Sequence, residues 1–186
     1  MAGAHWIDAV SEWIGSTESG AVFNETRTHR FSLWRRWTGL FDAEPAPISR
    51  MLAFICLNPS TANETANDPT VARGIKFAKR WGLDGFVMLN LFGFRATEPA
   101  DMKRAPDPVG DGNDEAILWV ASRAARVVCA WGVHGVHMGR DEEVKTMLRN
   151  NDINAECFIR TKDGHPRHPL YVRGDSEPSV FVWCGH

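Results

Sequence analysis

From residue 50 onward, uninterrupted apolar runs alternate with stretches whose apolar residues recur every three or four positions. Apolar runs without strict alternation suit strands buried on both faces, as in parallel sheets covered by helices. The pattern predicts strands over 51–57, 86–91, 126–131 and 156–161, with helices over 68–81, 114–123 and 140–150 between them. Asp68-Pro69 is a helix start, with an acceptor side chain at the cap and proline at the first helical position. Pro99, Pro106 and Pro108 mark a long loop after the second strand.

Upstream, Trp6, Val10, Trp13 and Ile14 recur at helical spacing and predict an amphipathic helix ending at Gly15. The aromatic and threonine-rich stretch from Phe23 to Trp37 predicts a β-hairpin, with Phe31, Leu33 and Trp37 on or near one face, and residues 42–47 read as a loop. The expected fold is one α/β domain over 1–186, a three-layer α/β/α sandwich on a short, mainly parallel four-stranded sheet, with residues 1–50 as a helix and hairpin extension. A length of 186 residues with 44% apolar composition fits one core.

A net charge of −2 argues against coating nucleic acid with the whole surface, because non-specific affinity comes from neutralising phosphates. Local patches remain. Arg27, Arg30, Arg35 and Arg36 interleave with Phe31, Trp34 and Trp37, and a second run carries Arg73, Lys76, Lys79 and Arg80. Such interleaving suits a single strand or a distorted duplex, and a solvated helix face or a charge-protected edge strand fits equally. Cys56, Cys129, Cys157 and Cys184 form no closely spaced pair, which reads as reduced thiols of a cytoplasmic protein. There is no long apolar span and no basic-apolar leader, so no membrane partner is expected.

Three strand ends deliver polar residues: Asn58-Pro59-Ser60-Thr61, Asn90, and the loop His165-Pro166-Arg167-His168-Pro169-Leu170. Open α/β sheets bind ligands beyond the carboxyl ends of their strands, so these residues converge in such a fold. A carboxamide carries both a donor and an acceptor, the equipment for reading a nucleobase edge. Each also has a bland explanation, as a turn residue or a satisfied buried amide. His134 and His137 stand three apart without an acidic or thiol partner nearby, and read as structural or exposed. Neither a metal nor a cofactor is expected.

The order of these segments resembles the uracil-DNA glycosylase superfamily. Cys56-Leu57-Asn58-Pro59-Ser60 is similar to its first motif, Val87-Met88-Leu89-Asn90 to its second, Val127 through Trp131-Gly132 to a later strand, and the 165–170 loop to its final His-Pro motif with one extra residue. More closely, Leu57-Asn58-Pro59-Ser60-Thr61-Ala62, Asn67-Asp68-Pro69-Thr70, Asn90-Leu91-Phe92-Gly93-Phe94-Arg95-Ala96-Thr97 and His168-Pro169-Leu170-Tyr171 resemble the bacterial and phage domain-of-unknown-function family numbered 1643. That likeness spans Met51 to Val172.

The superfamily resemblance implies a glycosylase of the DNA-repair type that flips a base out of DNA and hydrolyses its N-glycosidic bond without a metal. It implies that Asn58 positions the water, Asn90 binds the base edge, and His168 or His165 stabilises the departing base. Phe77 would stack on the base, Leu170 would fill the gap in the duplex, and Arg167, Arg95 and Lys76 would contact DNA. Ser60, in place of a bulky aromatic, implies a permissive base pocket. The alternatives are hydrolysis of a free modified nucleoside or nucleotide, and a non-catalytic reader of DNA. No protein partner is indicated.

Overall fold

The computed structural model describes residues 12–37 and 44–182. Among the described residues, seven strands make one sheet in the order β1-β2-β4-β3-β5-β6-β7. They are β1 (Ser19–Phe23), β2 (Arg30–Arg36), β3 (Met51–Cys56), β4 (Gly85–Asn90), β5 (Arg126–Cys129), β6 (Ala155–Cys157) and β7 (Ser179–Val182). The central pairs β4/β3, β3/β5 and β5/β6 are parallel, while β1/β2, β2/β4 and β6/β7 are antiparallel.

Residues of β3 alternate between two cores. Met51, Ala53 and Ile55 join one apolar cluster, and Leu52, Phe54 and Cys56 join the other. Helix α1 (Pro69–Arg80) covers the second face through Val71, Phe77 and Ala78. Helices α3 (Asn113–Ala121) and α4 (Arg140–Asn150) cover the first through Ile117, Val120, Val144 and Leu148. A short helix α2 (Pro99–Arg104) breaks the expected long loop. The fold is therefore α/β, with helices on both faces of a sheet that is mixed and not mainly parallel as expected.

Helix α1 starts as its sequence dictates: Asp68 Oδ1 accepts the Val71 N–H at 2.8 Å, and Pro69 fills the first turn. Gly74 lets the helix lie close on β4, since a Cβ there would fall 2.2 Å from the Phe86 ring. From β3 the chain crosses through α1 to β4 on one side, then returns through α2 and α3 to β5 on the other. This reversal of direction at the carboxyl end of β3 is the switch point at which open sheets form a crevice.

Several expectations need correction. The sheet has seven strands rather than four, because the 19–36 hairpin joins β4 directly and β7 adds an antiparallel edge beside β6. Phe31 and Leu33 do not share a face. Val22 pairs with Ser32 and Phe23 with Arg30, so Phe31 is the extra residue of a bulge and turns to the opposite core from Leu33. The last parallel strand ends at Cys157, short of the expected 161. The N-terminal helix lies largely outside the described residues, and at its expected end Trp13 and Ile14 are buried in non-helical chain.

Candidate functional site

A cavity of about 560 Å³ opens at the carboxyl edge of the parallel strands. Cys56, Leu57 and Asn58 reach it from β3, Met88 from β4, Trp131 and Gly132 from beyond β5, and Arg167, His168 and Tyr171 from the loop after β6. The sheet end thus collects, from segments far apart in sequence, two of the residues expected to meet, Asn58 and His168.

Asn58 is held by its amide group. Its Nδ2 donates to the carbonyls of Pro59 at 3.1 Å and Ala96 at 2.7 Å, so its Oδ1 is the atom left to act as an acceptor. Ser60, two residues on, also lines the cavity. His168 caps a 3-10 turn over Pro169–Tyr171, where its Nδ1 accepts the Leu170 N–H at 3.4 Å. Burial holds the imidazole below its usual pKa, and the charge of Asp68 opposes that shift. A neutral imidazole that accepts at Nδ1 carries its proton on Nε2, which makes Nε2–H the donor.

Asp68 lines the same cavity and is nearly buried. Its Oδ1 is taken by the helix cap, leaving Oδ2 to meet a water. Arg30, with no exposed surface, donates through Nη1 to the Ala62 carbonyl at 2.8 Å and through Nη2 to the Sδ of cavity-lining Met88 at 3.5 Å. Burial lowers the Arg30 pKa to about 10 while Asp68 raises it, so at neutral pH a buried cation sits under the cavity floor. Cys56 is pushed up to about 12 by burial and is a neutral thiol, not a nucleophile.

Asn90 ends β4 directly opposite Cys56, two residues beyond the cavity-lining Met88 and therefore on the same face of the sheet. It is fully buried, and neither its Oδ1 nor its Nδ2 has a hydrogen-bond partner. Its backbone is fixed from the other side, where the Asn113 Nδ2 donates to the carbonyls of Asn90 at 3.1 Å and Leu91 at 3.0 Å. Native structures rarely leave a buried carboxamide wholly unpaired, because each lost partner carries a desolvation cost. Asn90 does not itself line the cavity. Its neighbours on the sheet, Cys56 across the ladder and Met88 two residues back, do line it.

The structure separates the two histidines. His165 packs against α4, with its Nδ1 3.8 Å from Asp141 Oδ2, and does not line the cavity. Phe77 is 1% exposed and stacks in the core on Phe158, centroids 4.5 Å apart, so it is not a base-stacking surface. Helix periodicity turns it inward. Lys76 is exposed on α1 away from the cavity lining. Arg167 lines the cavity, Leu170 is exposed on the turn beside it, and Arg95 lines an adjoining cavity.

Asp68, Trp131, His134 and Tyr171 also line the cavity, although none of them is among the site residues expected from the sequence. Asp68 reads as a cap and nothing more, although a carboxylate at a helix start that follows a strand-end motif is placed where ligands bind. His134 stands 3.3 Å from Lys103 Nζ, and burial, then Lys103, lowers its pKa. Trp131 is 2% exposed with its Nε1 unpartnered. Among the described residues no cluster of three His, Cys, Asp or Glu could hold a metal ion, and no helix is long and apolar enough to cross a membrane.

A family described as "Protein of unknown function (DUF1643)" matches residues 30–170. The chain belongs to this family. The matched span of the DUF1643 chain begins at the buried Arg30 and ends at Leu170, so it contains Asn58, Asp68, Asn90, Trp131 and His168. No curated protein and no solved structure matches the DUF1643 chain.

Proposed function

We propose that this protein recognises a nucleobase in its strand-end cavity and hydrolyses the N-glycosidic bond of that base in DNA, as its motif resemblance to the uracil-DNA glycosylase superfamily implies. The observation that carries the reading is the meeting of Asn58, Asp68 and His168 around one cavity.

In this mechanism the C1′–N bond breaks with its electron pair leaving on the base. His168 Nε2–H donates to the acceptor on the base where that charge collects, an oriented hydrogen bond that strengthens as the charge develops. Asn58 Oδ1 orients a water, and Asp68 takes a proton from it as the oxygen bonds to C1′. The proton ends on the carboxylate, and the base departs as an anion stabilised by His168. Arg30, buried and cationic, sets a positive charge behind the cavity-lining Met88. Cys56 and Met88 supply the apolar wall, and exposed Tyr171 offers a ring at the cavity lining for stacking.

The test is incubation with oligonucleotides bearing uracil, hypoxanthine or 5-hydroxymethyluracil, followed by alkaline cleavage at abasic sites. The expected result is strand cleavage that His168→Ala reduces on the order of a hundredfold and His165→Ala leaves unchanged. Binding without abasic sites identifies a non-catalytic reader. Release of base from free nucleosides alone moves the substrate from DNA to a small molecule.

A further inference from the structure

A second cavity, of about 480 Å³, adjoins the first and shares Ser60, Ala96 and Thr97 with it. Its chemistry is different. Arg27, Thr28, Thr61 and Arg95 line it, so guanidinium groups and hydroxyls replace the imidazole and carboxamide next door.

Its charges are not balanced. Arg27 pairs with Glu64 at 2.7 Å, whereas no carboxylate lies within ion-pair distance of Arg95 among the described residues. Both guanidiniums are gathered on one ring, their carbons 3.9 Å and 5.1 Å from the centroid of Phe23. The gathering is built into the backbone: Arg27 adopts a left-handed conformation with φ of 57°, and its carbonyl accepts Arg95 Nη1 at 3.0 Å. Arg95 Nε is buried and has no partner. Two cations and one carboxylate thus leave an excess positive charge facing a hydroxyl-lined cavity.

The geometry points to a phosphate subsite at Arg95 and Arg27, which holds a phosphate of the same nucleotide whose base enters the neighbouring cavity. This rests on the nucleobase reading for the identity of the ligand, and on the second cavity alone for the phosphate. A guanidinium fork matches phosphate oxygens through parallel hydrogen bonds, and the hydroxyls of Ser60, Thr61 and Thr97 are able to donate to the remaining oxygens. Ser60, Ala96 and Thr97 line both cavities, so the two lie side by side, as the base and phosphate of one nucleotide require.

The test follows the amide resonances of Arg95 and Thr97 in the full chain while inorganic phosphate is titrated, in wild type, Arg95→Gln and Thr61→Val. Saturable shifts are expected in wild type, weakened about tenfold or more in Arg95→Gln and by a smaller factor in Thr61→Val. Thr61 is exposed, so that variant keeps its fold. A second arm compares 2′-deoxyuridine, its 5′-monophosphate and a trinucleotide. A gain of about tenfold for the monophosphate, lost in Arg95→Gln, identifies a terminal phosphate, and a gain confined to the trinucleotide identifies a strand phosphodiester. If no nucleoside or nucleotide binds but phosphate still shifts Arg95 in an Arg95→Gln-sensitive way, the nucleobase reading fails and the subsite stands. Phosphate and nucleotide binding that are both blind to Arg95→Gln overturn it.

Discussion

The Leu170 N–H donates to Nδ1 of His168 at 3.4 Å, and this contact decides which nitrogen of the ring faces chemistry. The turn begins at Pro169, whose ring fixes the backbone next to the histidine. The proton of the neutral ring is thereby assigned to Nε2, and burial keeps the ring neutral.

A pH dependence follows. His168 has a folded-state pKa below the ordinary value of about 6.5, so on acidification the unfolded chain takes up this proton first. Its contribution to stability is intact above that ordinary value and is lost as pH falls through it toward the folded value. Urea unfolding at about pH 7.5 and about pH 5 is expected to show a larger loss for wild type than for His168→Gln. Equal losses would mean that the imidazole is not held neutral by burial.

Asn90 is expected to act on stability and not on recognition. Its buried Oδ1 and Nδ2 gain nothing from the protein, so Asn90→Leu, which keeps the branching of the side chain, should raise unfolding free energy by ~1 kcal/mol. Because Asn90 does not line the cavity, the same change should leave discrimination between bases in the oligonucleotide assay unchanged. A loss of stability of more than ~1 kcal/mol would instead make Asn90 part of the scaffold.

The central strands were legible because each is an unbroken apolar run, and α1 was legible because Asp68-Pro69 is both cap and start. The convergence of Asn58 and His168 followed from the strand-end rule alone. What period and motif could not convey was a bulge at Phe31, which breaks the two-residue rhythm without changing composition, and β7, a short strand whose alternating burial is weak. The His165 and His168 ambiguity was likewise invisible: Pro166 N-terminal to Arg167 lets the loop turn one imidazole to Asp141 and the other to the cavity. Asp68 caps α1 as its sequence indicates, and the same residue lines the cavity, which a capping pattern alone does not convey.

Asp68→Asn tests the second oxygen of that carboxylate. Asparagine caps a helix about as well as aspartate, so stability should change by less than ~1 kcal/mol, while removal of the carboxylate should lower the rate of base release on every accepted base by about a hundredfold. Asp68→Ala adds the loss of the Val71 contact and should cost ~1 kcal/mol of stability as well. Wild-type turnover in Asp68→Asn would remove the carboxylate from the reaction and leave it as a cap.

The aromatic that meets the ligand is expected to be Tyr171, not Phe77. Phe77 is packed between Phe54, Trp81 and Phe158, so Phe77→Ala should lower stability by ~3–5 kcal/mol through the cavity it leaves, with any loss of activity tracking the loss of folded protein. Tyr171 is 72% exposed beside His168, with ring centroids 5.9 Å apart, and its removal leaves the core untouched. Tyr171→Ala should therefore keep the wild-type unfolding midpoint within ~0.5 kcal/mol while weakening binding of a base-bearing oligonucleotide by roughly 1–3 kcal/mol, the range of a lost base–aromatic stack. Denaturant melts and a fluorescence-anisotropy titration on both variants decide the matter: unchanged affinity in Tyr171→Ala would leave the exposed ring without a role in recognition.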